Sequence, residues 1–283
     1  MKLVAAVLML LTLGALGEVV MDLNACKQFF LKEKPPVFGV GSTVSQVPIA
    51  GDRFKKICQK YQGTSHYATL YDTAEKIPVY SAYQYQRTAG CTINRPDITW
   101  MIEAQIEGRS SNVMELLGSG SKGSGKQAYN SDYDGARYDR GHLYPHCHAP
   151  SKMAAESTFT LTNAAPQRCD FNKFWYSKVE DKVRDTLKSD CVNKGYFAYV
   201  VTGVVQSSGT FKVTVGKGQV NVPTHFWTAY CCCDQNNKNC KFEGYIMYRE
   251  DDEPDKPKTP DDFDKKLKDL YSEGFQVFPG KCI

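Results

Sequence analysis

The order of hydrophobic patterns predicts an α+β fold, with strand-like runs on either side of one long amphipathic helix. Alternating aromatic and β-branched stretches recur at His66 to Tyr71, Ile77 to Gln86, Thr99 to Ile106, Tyr196 to Gln206, His225 to Cys231 and Phe242 to Tyr248, the period-2 pattern of strands. From Asp170 to about Ser189 the period changes: Trp175, Val179, Val183 and Leu187 recur every four residues and form one apolar stripe. Strands that give way to a helix and then return suggest a central, mostly antiparallel sheet flanked by helices. At 283 residues, with 42% hydrophobic and 23% charged residues, the chain has ample material for its own core and is too ordinary for a disordered or fibrous class.

Taken in order, the chain opens with Lys2 followed by an almost wholly apolar run, Leu3 to Leu16. Small residues at Ala15 and Gly17 suit a cut before Glu18, so residues 1–17 read as an export signal and 18–283 as the mature chain. No other run reaches the roughly 18 apolar residues of a membrane span, and the product is expected to be secreted. Composition is even from about Asp52 to Tyr248, which predicts one domain with its core over about 52–248 and a C-terminal extension, 249–283. Gly118 to Lys126 is a Gly/Ser-rich loop that nearly fits a phosphate loop, but Gln127 stands where a Ser or Thr would hold magnesium. Glu250 to Asp262 is charged and Pro-rich, a surface connection. Thr259-Pro260-Asp261-Asp262 then caps a short helix ending near Gly274.

All 11 cysteines lie beyond residue 17, and in an exported chain they predict a disulfide-stabilised fold with one thiol left over. Cys231-Cys232-Cys233 with Cys240 could be drawn as a zinc site, but adjacent cysteines alternate faces of a strand and lack C-x2-C spacing. The formal net charge of +4 falls to +3 once Lys2 leaves with the leader, 34 basic against 31 acidic residues. That balance is too weak for a dedicated nucleic-acid binder, so any site for a polyanion must be local.

The chemistry concentrates at one place. Of five histidines in the chain, His142, His146 and His148 fall within seven residues, and imidazole is the side chain suited to proton transfer near neutral pH. In Tyr138-Asp139-Arg140-Gly141-His142-Leu143-Tyr144-Pro145, a potential base stands beside a guanidinium whose planar fork can hold phosphate oxygens. Gly141 would let the backbone approach a ligand closely. The same string could also be a strand-end turn with an Asp139–Arg140 ion pair and a packed histidine. His146 and His148, separated from His142 by Pro145, are read as surface residues or substrate-side donors.

Downstream, Asn163-Ala164-Ala165-Pro166-Gln167, Asp170-Phe171-Asn172, Trp175 and Glu180 follow in order. With that set, the chain resembles the DNA/RNA non-specific endonucleases of ββα-metal fold, whose signature is Asp-Arg-Gly-His, then Asn-x-x-Pro-Gln, then a magnesium-binding Asn. The likeness extends over most of Tyr67 to Tyr248, through Pro78 to Tyr83, Ala198 to Gly203 and Val222 to Trp227. Cys26-Lys27-Gln28-Phe29-Phe30 with Pro35-Pro36, and Thr158 to Asn163, are most similar to the vertebrate endonuclease domain-containing 1 type.

The resemblance implies that His142 is the general base, that Asn172 is the direct ligand of Mg2+ (or Mn2+), and that Arg140 contacts the phosphate. It makes Asn163 a supporting residue of the site and Glu180 a carboxylate that reaches the metal only through water. Arg95 best matches the family's further substrate-binding arginine, with Arg87 competing for the role. The implied activity is metal-dependent hydrolysis of DNA and RNA as substrates; the alternative is a weakly active or inactive scaffold that binds polyanions or proteins. The roles suit the chemistry, because magnesium keeps several waters and needs few protein ligands, while a neutral histidine can take a proton from water. Asn172 and Glu180 lie eight residues apart, about 12 Å along a regular helix, which argues against joint ligation of one ion.

Overall fold

In a computed structural model, which describes residues 18–39, 52–86, 95–116, 123–135, 137–271 and 274–283, seven strands make one antiparallel sheet. In spatial order they are Val19–Val20, Phe54–Tyr61, Thr64–Asp72, Ile77–Tyr85, Phe197–Val205, His225–Cys233 and Lys241–Tyr248. Both faces are covered, so neighbouring residues on a strand enter different cores. Tyr67, Val200, Phe226 and Met247 face one core, whereas Ala68, Val201, Trp227 and Ile246 face the other, as the period of two requires.

The first core is closed by a helix assembled from Cys169–Trp175, a π turn Tyr176–Glu180, Asp181–Thr186 and a second π turn Leu187–Cys191. Its apolar stripe is fully used, with Trp175, Val179, Val183 and Leu187 at most 1% exposed. A spacing of four would drift about 40° per step around a regular helix of 3.6 residues per turn. The two π turns underwind the helix and hold the stripe against the sheet. The second core is closed by both chain ends: Leu23–Phe29 from the N-terminal side, and Pro260–Tyr271 and Gly274–Gln276 from the C-terminal side. The cap of the Pro260 helix is the expected one, Thr259 Oγ1 accepting from the Asp262 N–H at 3.1 Å.

Two readings of the sequence need correction. Thr99 to Ile106 is not one strand; Met101 bridges Thr160, Ile102–Glu103 pairs with Met114–Glu115, and Ala104–Glu107 turns into a 3-10 helix. At Glu103 a side chain completes the main-chain bonding, the Gln127 amide exchanging two hydrogen bonds of 3.0 Å with it, while Met101 bonds to the Phe159 and Leu161 main chain. Conversely, Phe54–Tyr61 is a strand that its lysines (Lys55, Lys56, Lys60) concealed. Residues 1–17 and part of the Gly118 to Lys126 loop lie outside the described residues.

Disulfides fasten both layers to the sheet. Cys26–Cys58 ties the N-terminal segment, Cys231–Cys282 the C-terminal one, Cys191–Cys232 the end of the long helix, and Cys233–Cys240 closes a hairpin. The three consecutive cysteines alternate faces as expected, and disulfides, not zinc, occupy them. Cys147 is also disulfide-bonded, and Cys169 is the free thiol among the described residues.

The 41-residue separation bridged by Cys191–Cys232 corresponds to about 3–4 kcal/mol of loop-closure entropy. Changing both cysteines to serine should therefore lower the melting temperature by several degrees. A melting temperature equal to that of the unaltered protein would show that the link does not stabilise the helix.

Candidate active site

The strand Tyr138–His142 pairs antiparallel with Ala164–Arg168, placing His142 opposite Ala164 and Asp139 opposite Gln167. The long helix starts at the next residue, Cys169. Two strands and a helix thus converge, and His142, Arg140, Asp139, Asn172, Glu180 and Arg95 line one cleft of about 540 Å³. The sequence-predicted residues gathered there come from segments up to 85 positions apart in the chain.

At the head of the helix, Asn172 Nδ2 donates to Asp139 Oδ2 at 3.0 Å. The bond fixes the amide by its nitrogen, leaving the carbonyl oxygen as the atom this residue can offer a cation. The other Asp139 oxygen accepts from the Cys169 thiol at 3.4 Å. Asp139 therefore holds the helix, and the Asp139–Arg140 ion pair that the motif alone could form is absent. Arg140 instead lies over the Tyr133 ring at 4.9 Å, gives Nη2 to the Asn130 carbonyl at 3.0 Å, and keeps its Nε without a protein partner.

His142 is wedged between Trp100 and Phe159, each ring centroid 4.7 Å away. Burial, then His146 and then Arg95, hold its pKa well below the ordinary imidazole value, so the ring is neutral at pH 7. Nε2 is buried with no hydrogen-bond partner. Arg95 reaches the cleft across the Phe159 face at 5.6 Å; its competitor Arg87 lies outside the described residues. Glu180, on the π turn, is pushed up to about 8, by burial first and the adjacent Asp181 second, against the opposing charge of Arg184. The underwound turn changes the direction of Glu180 around the helix, and both Glu180 and Asn172 line the cleft while remaining eight residues apart.

Two expectations change, those for His148 and Gly141. Asn163 does not line the cleft; it is fully buried beneath it. Its Oδ1 accepts from Ser81 Oγ and the Tyr144 N–H, and its Nδ2 donates to the Tyr144 and Thr158 carbonyls, all at 2.9–3.1 Å. With its polar atoms engaged in this way, it can act only by fixing the chain that follows His142. His148 is 2% exposed and not a surface donor. It bridges Tyr83 Oη, at 2.8 Å from Nδ1, and the Glu180 carbonyl, at 2.9 Å from Nε2, tying sheet to helix. His146 does line the cleft. Gly141, finally, makes room not for a ligand but for Gln167, whose side chain occupies the space a Cβ would fill.

The donor set suits a hard divalent cation: an amide oxygen and a carboxyl group that burial leaves short of positive charge, with no thiolate facing in. The one cluster of His, Cys, Asp or Glu ligands among the described residues is Cys231, Cys233 and Cys240, already taken up in disulfides.

A family model described as DNA/RNA non-specific endonuclease matches residues 50–269. The human endonuclease domain-containing 1 protein is 35% identical over 223 residues, covering 76% of this chain and 40% of that protein. The mouse protein is 31% identical over 215 residues, 73% of this chain and 38% of that one. Human mitochondrial endonuclease G is 34% identical over 110 residues, 36% of this chain and 35% of its own. The chain thus spans less than half the length of these relatives. Among solved structures, a chain of the EndoG/EndoGI complex superposes with a TM-score of 0.51 at 20% identity, covering 75% of this chain and 83% of that one, a likeness of fold.

Two outcomes follow from this geometry. Gly141→Ala should destabilise the protein by about 1–3 kcal/mol through overpacking against Gln167; a melting temperature unchanged from the parent would contradict the packing. If His142 must be neutral to act, the acid limb of a pH–rate profile should have its midpoint below 6.5, the ordinary imidazole value, because a depressed pKa keeps the base unprotonated to lower pH. A midpoint at or above that value would show that burial does not govern the titrating group.

Proposed function

Since the chain belongs to the DNA/RNA non-specific endonuclease family, we propose that it is an exported, divalent-metal-dependent nuclease that hydrolyses phosphodiester bonds in both DNA and RNA. The observation that carries this reading is the meeting of a neutral imidazole, an oriented amide oxygen and two guanidinium groups in one cleft. The disulfides suit an oxidising compartment, and no helix among the described residues is long and apolar enough to cross a membrane.

Asn172 would hold the cation, Mg2+ or Mn2+, with Glu180 close enough to act through water. When bound, such a cation supplies positive charge where negative charge builds on the phosphate. The remaining work falls to the chain itself. Arg140 and Arg95 hold the phosphate and set its direction. With Nε2 buried, His142 accepts the proton of the attacking water at Nδ1, and the Trp100 and Phe159 faces keep the ring in place. Asn163 holds the backbone after His142 so that the ring stays aligned with the helix. These contacts go to phosphate and water and leave the bases unread, which fits cleavage of either sugar with little sequence preference.

Incubating the purified protein with plasmid DNA and with RNA, in magnesium and in EDTA, tests the reading. Both polymers should be degraded only with the metal; inertness toward both in magnesium and in manganese would refute it. His142→Ala should lose about 10²–10⁴-fold in rate, the usual worth of a general base, yet retain metal binding. Asn172→Ala should lose both activity and metal response. Free imidazole should restore part of the rate to the first variant and none to the second; rescue of both, or an active Asn172→Ala, would overturn the assignment.

A further inference from the structure

Beside the cleft runs a second, wider depression of about 1090 Å³ that no role so far explains. Tyr138 and Lys173 line both, so the two are continuous. The far side is built from Arg137, Arg168, Phe174 and Ser177. Arg168 is committed to Asp170 at 2.5 Å and Glu250 at 2.9 Å, whereas Arg137 and Lys173 have no acidic partner among the described residues. Phe174 leaves 41% of its surface in water although it sits on the helix that closes the core, and Tyr176, on the cleft side of the same helix, leaves 40%.

We propose that this groove receives the unpaired strand of a nucleic acid leaving the scissile phosphate, with Arg137 and Lys173 on its phosphates and a base stacked on Phe174. The inference rests on the nuclease reading and adds a substrate class, single-stranded over duplex. Two features favour the single strand. An aromatic face is open only to a base freed from its pair, and base–aromatic stacking needs no particular sequence. The cations are also few: two groups without an acidic partner among the described residues of the groove are little for a site that must track both backbones of a duplex.

Binding is measured by fluorescence anisotropy in EDTA, where no cleavage occurs, with a short labelled oligothymidylate and a labelled duplex of the same length. Phe174→Ala should weaken the single strand about 5- to 150-fold, the range that loss of one stacked base corresponds to, and change duplex affinity by less than about twofold. Phe174→Trp should keep the single-strand affinity. Arg137→Gln should reduce the slope of log affinity against log salt by about 0.7, one single-strand phosphate contact. Unchanged oligothymidylate binding by Phe174→Ala, or equal losses on single strand and duplex, would overturn the proposal. Hydrolysis of bis(p-nitrophenyl) phosphate in magnesium, which is too small to enter the groove, should be the same in Phe174→Ala as in the parent. Inertness of the parent toward both this diester and plasmid would refute the nuclease reading separately, leaving the binding result to be judged by itself.

Discussion

The arrangement of the cleft depends on one hydrogen bond, from Asn172 Nδ2 to Asp139 Oδ2. It joins the strand that bears the imidazole to the helix that bears the amide, and it fixes which end of the amide is free. The rest of the fold keeps that bond in register. The stripe from Trp175 to Leu187 presses the helix on the sheet, His148 ties the Glu180 carbonyl to Tyr83 at mid-length, and Cys191–Cys232 pins the far end. A helix held at its start, middle and end can present two polar side chains to one cleft with little freedom. That restraint is what pre-organised charge requires.

Electrostatics complete the picture. Burial acts in opposite directions on the two titratable groups, lowering His142 and raising Glu180, because a poorly hydrated site disfavours charge of either sign. The first effect readies a base at neutral pH. The second marks a carboxyl group that a nearby cation would ionise, so the same desolvation that prepares the histidine also creates the demand for positive charge. Proposed metal dependence and proposed base catalysis therefore share a physical origin.

What could be read in advance was local in sequence. The Asp-Arg-Gly-His string, the order of the downstream asparagines and the four-residue stripe are all short-range patterns, and the cleft, the antiparallel sheet and the helix correspond to them. What escaped depends on contacts across the chain. The partners of Asp139 are 30 and 33 residues away, and a motif invites the wrong partner, the adjacent arginine. Asn163 and His148 carry polar groups that could serve chemistry or packing, and only the hydrogen bonds each receives decide for packing. Gly141 needs its smallness for Gln167, whose side chain crosses from its place opposite Asp139 on the paired strand. Thr99 to Ile106 alternates like a strand, yet its pairing is broken into short pieces, and at Glu103 the Gln127 amide supplies two hydrogen bonds of the kind a neighbouring strand gives. Local pattern cannot foresee a side chain standing in for backbone.

The most direct test of the central constraint is Mn2+ affinity, followed by electron paramagnetic resonance, in the unaltered protein and in Asp139→Ala. If Asp139 orients the Asn172 carbonyl oxygen toward the ion, the variant should bind Mn2+ about 10–100-fold more weakly, the usual cost of losing a group that orients a metal ligand. Its far-ultraviolet circular dichroism should match that of the parent. Unchanged Mn2+ affinity in a folded Asp139→Ala protein would contradict the account, because the bond on which the cleft is built would then have no bearing on the ion it is held to position.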